Sequence, residues 1–139
     1  MSSFGDGWGA IVIEERLQRL ASAKRALEEG RLEDADEMAS SILRHDLEVA
    51  EAWLIKCKVH EALGNWRRAA YLYTKLSVSS QDGQYYEIAA QLFLRVDLLS
   101  DAMFCLREAI SLYELQGLAD SACRLRERLQ ALETRFNES

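Results

Sequence analysis

Few residues of this chain are of types that do covalent or metal chemistry, and their spacing points away from it. Two histidines, His45 and His60, and three cysteines, Cys57, Cys105 and Cys123, are the only imidazole and thiol groups. Cys57 and His60 stand at i and i+3 and would share a helix face. A structural zinc needs a second such pair, and the sequence has none. No serine or cysteine lies in a nucleophile motif, and the glycines form no phosphate-cradling loop. The acidic pairs Glu14-Glu15 and Glu28-Glu29 are adjacent on helices and read as solvated. We therefore expect no metal, no cofactor and no enzymatic activity. His45 reads as a charge partner at a helix end, and His60 as a half-buried packing residue. The cysteines are odd in number and fall in helical patterns, where a free thiol behaves as a small apolar side chain. That usage suits a reducing, cytoplasmic setting.

Chemistry being absent, function must come from surfaces and from the elements that hold them. The 139 residues are 49% hydrophobic and 29% charged, with no proline. This is enough chain for one domain with its own core, and the composition favours helix throughout. The net charge of −6 disfavours a nucleic-acid partner. Charge is unevenly spread. Residues 50–80 carry five basic and two acidic side chains, a net of +3, while residues 1–49 carry six and eleven, a net of −5. Such a basic middle either is a solvated face or steers a partner. Ala10–Ile13 is too short for a signal peptide, and no apolar run approaches a membrane span. We expect no membrane association.

Hydrophobic periodicity places helices at 10–29, 33–44, 50–63, 66–78, 85–96, 101–115 and 119–136. Ser100 is the expected N-cap of the sixth. Residues 1–9, with three glycines and the aromatics Phe4 and Trp8, read as a flexible arm. The aromatics either pack on the first helix or dock elsewhere.

The helices repeat in pairs about every 34 residues. Overlaying the pairs sets Gly30, Gly64 and Asp97 at the turn. Leu32, Trp66 and Leu99 follow, and then Ala35, Ala69 and Ala102. Further on come Ala39, Tyr73 and Leu106, and Ile42, Leu76 and Ala109. Ala23, Cys57 and Ala90 align as small residues in the first helices. Small residues at such points let helices approach, and three stacked hairpins are about the minimum for stability. The domain reading is an arm over 1–9, hairpins over 10–47, 48–82 and 83–117, and a capping helix with tail over 118–139. Gln18, Arg25 and Glu29 are polar where the later hairpins carry apolar residues, so the first hairpin reads as having no repeat before it and the chain as a complete module.

This register resembles the tetratricopeptide repeat (TPR), best in the middle hairpin with Trp53, Gly64, Trp66, Ala69 and Tyr73. Lys56 stands where the family usually has leucine, and Asp97 replaces a turn glycine. The resemblance spans about Arg16–Gly117 and implies an all-α right-handed superhelix whose first helices line a concave groove. By that register the lining is Leu17, Leu20, Lys24 and Leu27; Glu51, Leu54, Lys58 and Glu61; and Gln84, Glu87, Gln91 and Leu94. The resemblance implies a protein-binding adaptor taking a protein or peptide segment in that groove. The stretches WLIKCKVHEALGNWRRAAYLY and YYEIAAQLFLRVDLLSDAMFCLREAISL also resemble the three-TPR chaperones of type III secretion, so a client-solubilising chaperone is the alternative. End-to-end self-assembly is a further one. The stripe of Leu118, Leu125 and Leu132 on the last helix, read first as an intramolecular cap, and the Phe4/Trp8 arm could each join two copies, so monomer and homodimer both stay open.

Overall fold

The computed structural model describes the backbone of residues 3–138 and the side chains of residues 13–138. The described residues form seven α-helices and turns, with no strand. They are α1 (Ser3–Glu28), α2 (Leu32–His45), α3 (Ala50–Ala62), α4 (Trp66–Ser80), α5 (Gly83–Arg95), α6 (Leu99–Leu115) and α7 (Ala119–Glu138). The chain divides into two compact units, Met1–Leu63 and Gly64–Ser139. In the first, α2 packs on both α1 and α3, and α1 also touches α3. In the second, α5 packs on α4 and α6, and α7 packs on α6.

The turns explain the repeat. Gly30 and Gly64 both adopt φ +77°, a left-handed conformation that glycine reaches without penalty. Asp97 takes the same role at φ +60°, as aspartate tolerates better than most residues. After the turn, the N–H of Arg31 bonds the carbonyl of Ala26 at 2.9 Å, and that of Leu98 bonds Phe93 at 2.9 Å. This six-residue closure satisfies a carbonyl at the end of the preceding helix. Gly117 repeats the device before α7, with φ +74° and a 2.8 Å bond from Leu118 to Tyr113. Five residues after Gly30, Gly64, Asp97 and Gly117 stands an alanine: Ala35, Ala69, Ala102 and Ala122, all fully buried. The aligned small residues Ala23, Cys57 and Ala90 are also fully buried. Leu32, Trp66 and Leu99 are all half-buried.

Three details differ from the expectations. Helix α1 begins at Ser3 rather than at Ala10, so it runs through the stretch read as an arm. With no proline there, nothing stops the helix from extending, and interior glycine costs only about 1 kcal/mol each. The side chains of Phe4 and Trp8 lie outside the described residues. Helix α6 begins at Leu99, with Leu98 at the N-cap position and no side-chain cap. Ser100 is therefore inside it, because the left-handed Asp97 sets where the helix starts. The turn read at residues 79–84 shrinks as α4 runs on to Ser80, where Gln81 turns left-handed at φ 55°. Asp82 then caps α5, accepting from the Gln84 N–H at 2.9 Å. Gly83 is fixed by contact: a Cβ there would lie 2.8 Å from the Tyr113 ring.

No helix among the described residues is long and apolar enough to cross a membrane.

Candidate functional site

The groove residues expected from the repeat register fall on α1, α3 and α5, in each helix at spacings of three, four and three. That spacing keeps four side chains on one face of a helix.

In the first unit, α1 carries Leu17, Leu20, Lys24 and Leu27, and α3 carries Glu51, Leu54, Lys58 and Glu61. The two helices touch, and Lys24 Nζ donates to a Glu51 carboxylate oxygen across the contact. Leu17 is 61% exposed. Leu27, Leu54 and Glu61 are half-buried, and Lys58 is exposed. Leu20 is buried and belongs to the floor rather than to the open surface. The loop that sets α3 in place is tied twice. Trp53 Nε1–H donates to the Leu47 carbonyl at 2.8 Å, and Arg16 pairs with Asp46 at 3.1 Å.

Behind this face lies a contact that sequence reading missed. Lys56 is buried and reaches α2, donating to Asp36 Oδ1 at 2.8 Å and to Ser40 Oγ at 2.6 Å. His60 brings its Nε2 to 3.5 Å from the same Asp36 oxygen. The departure of Lys56 from the expected leucine is thus satisfied by α2. A lysine inside an apolar stripe was the signal, and the acid to seek was on the preceding helix.

In the second unit, α5 carries Gln84, Glu87, Gln91 and Leu94. Gln84 and Gln91 are exposed and Leu94 is half-buried. Glu87 is already engaged: the Tyr113 hydroxyl donates to it from α6, and Arg124 donates to it from α7 at 3.0 Å. Burial, and then the Glu87 carboxylate, raise the Tyr113 phenol above its ordinary value. This carboxylate is a clasp between three helices and is not held out for a partner.

Nucleophilic chemistry finds little support in the thiols. Burial pushes Cys57 up to about 12 and Cys105 up to about 11, so both are protonated at neutral pH. Among the described residues no three His, Cys, Asp or Glu side chains gather as a metal site requires.

The backbone is similar to solved structures of secretion proteins. It matches a T3SS complex from Aeromonas hydrophila with a TM-score of 0.69 at 20% identity, over 91% of this chain and 85% of that one. It matches the Yersinia enterocolitica type III secretion chaperone SycD, in complex with a peptide of the translocator YopD. That TM-score is 0.66 at 20% identity, over 88% and 95% of the two chains. It also matches PcrH, known from Pseudomonas aeruginosa, in complex with the chaperone binding region of PopD. There the TM-score is 0.65 at 22% identity, over 88% and 94%. The chain therefore has a TPR-like, all-helical repeat fold. No protein-family profile matches the chain, and no curated protein matches its sequence.

Proposed function

We propose that this protein binds a segment of a protein partner, and that the α1/α3 face of the first unit supplies the apolar anchor points. One observation carries the reading. Leu17 stands exposed on α1, which also carries half-buried Leu27, and α1 meets α3, which carries half-buried Leu54; the Lys24–Glu51 pair joins the two helices. A surface of apolar anchors with a polar rim suits a peptide that inserts a few side chains at helical or extended spacing. In the second unit, exposed Gln84 and Gln91 on α5 offer hydrogen-bonding side chains and half-buried Leu94 an apolar one. The Glu87 clasp takes no part in contact.

The finer reading is a chaperone that keeps an otherwise insoluble client in solution. The solved complexes of SycD and PcrH with translocator segments support this version over a plain adaptor. The protein acts by binding, in a reducing cytoplasm, as a monomer or a homodimer.

The test is affinity capture from the source cell's lysate with wild type beside Leu17→Glu/Leu54→Glu, read by mass spectrometry. A partner lost from the variant, with helicity retained, is the expected result. A partner kept by the folded variant overturns the α1/α3 assignment. Expressing the captured partner alone then separates the versions: insoluble alone and soluble with the protein is the chaperone result.

A further inference from the structure

A second surface lies in the second unit, on helices α4 and α5, and shares no residue with the α1/α3 face. Helix α4 carries Arg67, Arg68 and Lys75 and no carboxylate along its whole length. Helices α2, α3, α6 and α7 each open with an acid in the first turn, where it meets the positive end of the helix dipole. Helix α4 opens instead with Arg67 and Arg68, a placement the dipole disfavours. Local choices that work against the fold tend to mark places selected for something else.

The side chains form a connected patch. The Arg67 guanidinium lies 6.0 Å from the centre of the Tyr71 ring. Tyr71 meets the Phe93 ring of α5 edge-on, with centroids 5.1 Å apart. Two residues on, Arg95 stacks over the Trp66 ring at 4.5 Å, returning the circuit to the first residue of α4. Among the described residues none of Arg67, Arg68 and Arg95 pairs with a carboxylate. The acid nearest in sequence, Asp97, lies 3.8 Å from Arg135. All three arginines are exposed, and Tyr71 is 47% exposed between them. A guanidinium over a ring still has N–H groups free to donate. Those N–H groups donate two parallel hydrogen bonds to a carboxylate, while the ring takes an apolar neighbour.

We propose that this patch docks an acidic protein segment, with carboxylates on Arg67, Arg68 and Arg95 and an apolar side chain on Tyr71. Charge complementarity fixes the class of partner. Three unpaired cations on a chain of net charge −6 suit a short acidic stretch. A nucleic acid would need a longer run of phosphate contacts and would meet the chain's own acids.

The test is a titration of the whole protein, followed by ¹⁵N NMR of the Trp66 indole and arginine Nε–H signals. The probe is a synthetic glutamate-rich peptide with leucine at every third position. The expected result is saturable movement of the Trp66 and Arg95 signals and binding that weakens with salt. Affinity should fall about tenfold or more in Arg67→Gln/Arg95→Gln. Arg95→Lys, which keeps charge but loses the planar edge, should fall between the two. Arg67→Gln/Arg68→Gln carries the test if the first pair disturbs helicity. Leu54→Glu should bind the acidic peptide as wild type does, so failure of the α1/α3 reading leaves this result standing. No movement at Trp66, unchanged affinity in the folded variants, or loss on Leu54→Glu overturns the proposal. So does oligothymidine binding as tightly as the peptide.

Discussion

The two compact units hold their helices together by different chemistry. In the first unit, a buried cation does part of the work. Lys56 crosses from α3 to Asp36 and Ser40 on α2, and His60 borders the same carboxylate. In the second, rings do it. Tyr71 meets Phe93 edge-on, Tyr73 stacks on Tyr85 at 6.1 Å, and Tyr113 clasps Glu87 together with Arg124. Ring burial adds stability in proportion to area. A buried ion pair adds little over an apolar pair of equal volume, but it penalises any packing that separates its members. The first unit thus fixes how α2 meets α3 with a polar key and leaves leucines open. The second packs its helices on rings and closes the Glu87 carboxylate between α5, α6 and α7, while Phe104 and Leu115 stay exposed.

This contrast can be broken by substitution, and Phe93→Ala should cost most. Phe93 is buried against Tyr71, and its loss should remove about 3–5 kcal/mol from the second unit in urea unfolding. Asp36→Leu should come next, at roughly 2–3 kcal/mol, below the loss for a fully buried pair because Asp36 is partly exposed and Ser40 still accepts from the Lys56 ammonium. Lys56→Met should be close to neutral by the same measurement. An equal loss from both would mean that the ion pair is itself a main source of stability. Gly83→Ala presses a methyl group against the Tyr113 ring and should cost roughly 1–3 kcal/mol. It should also weaken the Glu87 clasp, visible as faster amide exchange in α7. Lys24→Ala, at an exposed pair, should change stability by less than about 1 kcal/mol.

Each unit also buries one thiol, and these sharpen the comparison through pH. Cys57 and Cys105 hold their protons more tightly folded than unfolded. The unfolded chain therefore releases protons first, and stability should fall as pH rises from about 9 towards 12, the ordinary and folded values. At neutral pH exposed Cys123 should react with a thiol reagent well before either buried one.

Much of the fold was legible because turns and close approaches admit few residue types. Gly30 and Gly64 announce left-handed turns, and the alanines five residues later mark where helices meet. The start of α1 was not legible, since glycine weakens a helix without ending it. The N-cap of α6 was misplaced because a left-handed aspartate looks like an ordinary acid in sequence. The candidate site was legible in its spacing but not in its satisfaction. Glu87 looks like groove lining until Arg124, 37 residues away, is seen to hold it. Lys56 looks like an anomaly until Asp36, 20 residues back, is seen to meet it. Periodicity tells which residues share a helix face, and pairing across helices decides which of them remain available.

The measurement that bears most directly on the proposed function is hydrogen–deuterium exchange of the protein alone and with its captured partner. The account predicts added protection in α1 and α3 around Leu17 and Leu54, with the Glu87 clasp unchanged. Exchange in α1 and α3 identical to that of the free protein would contradict it.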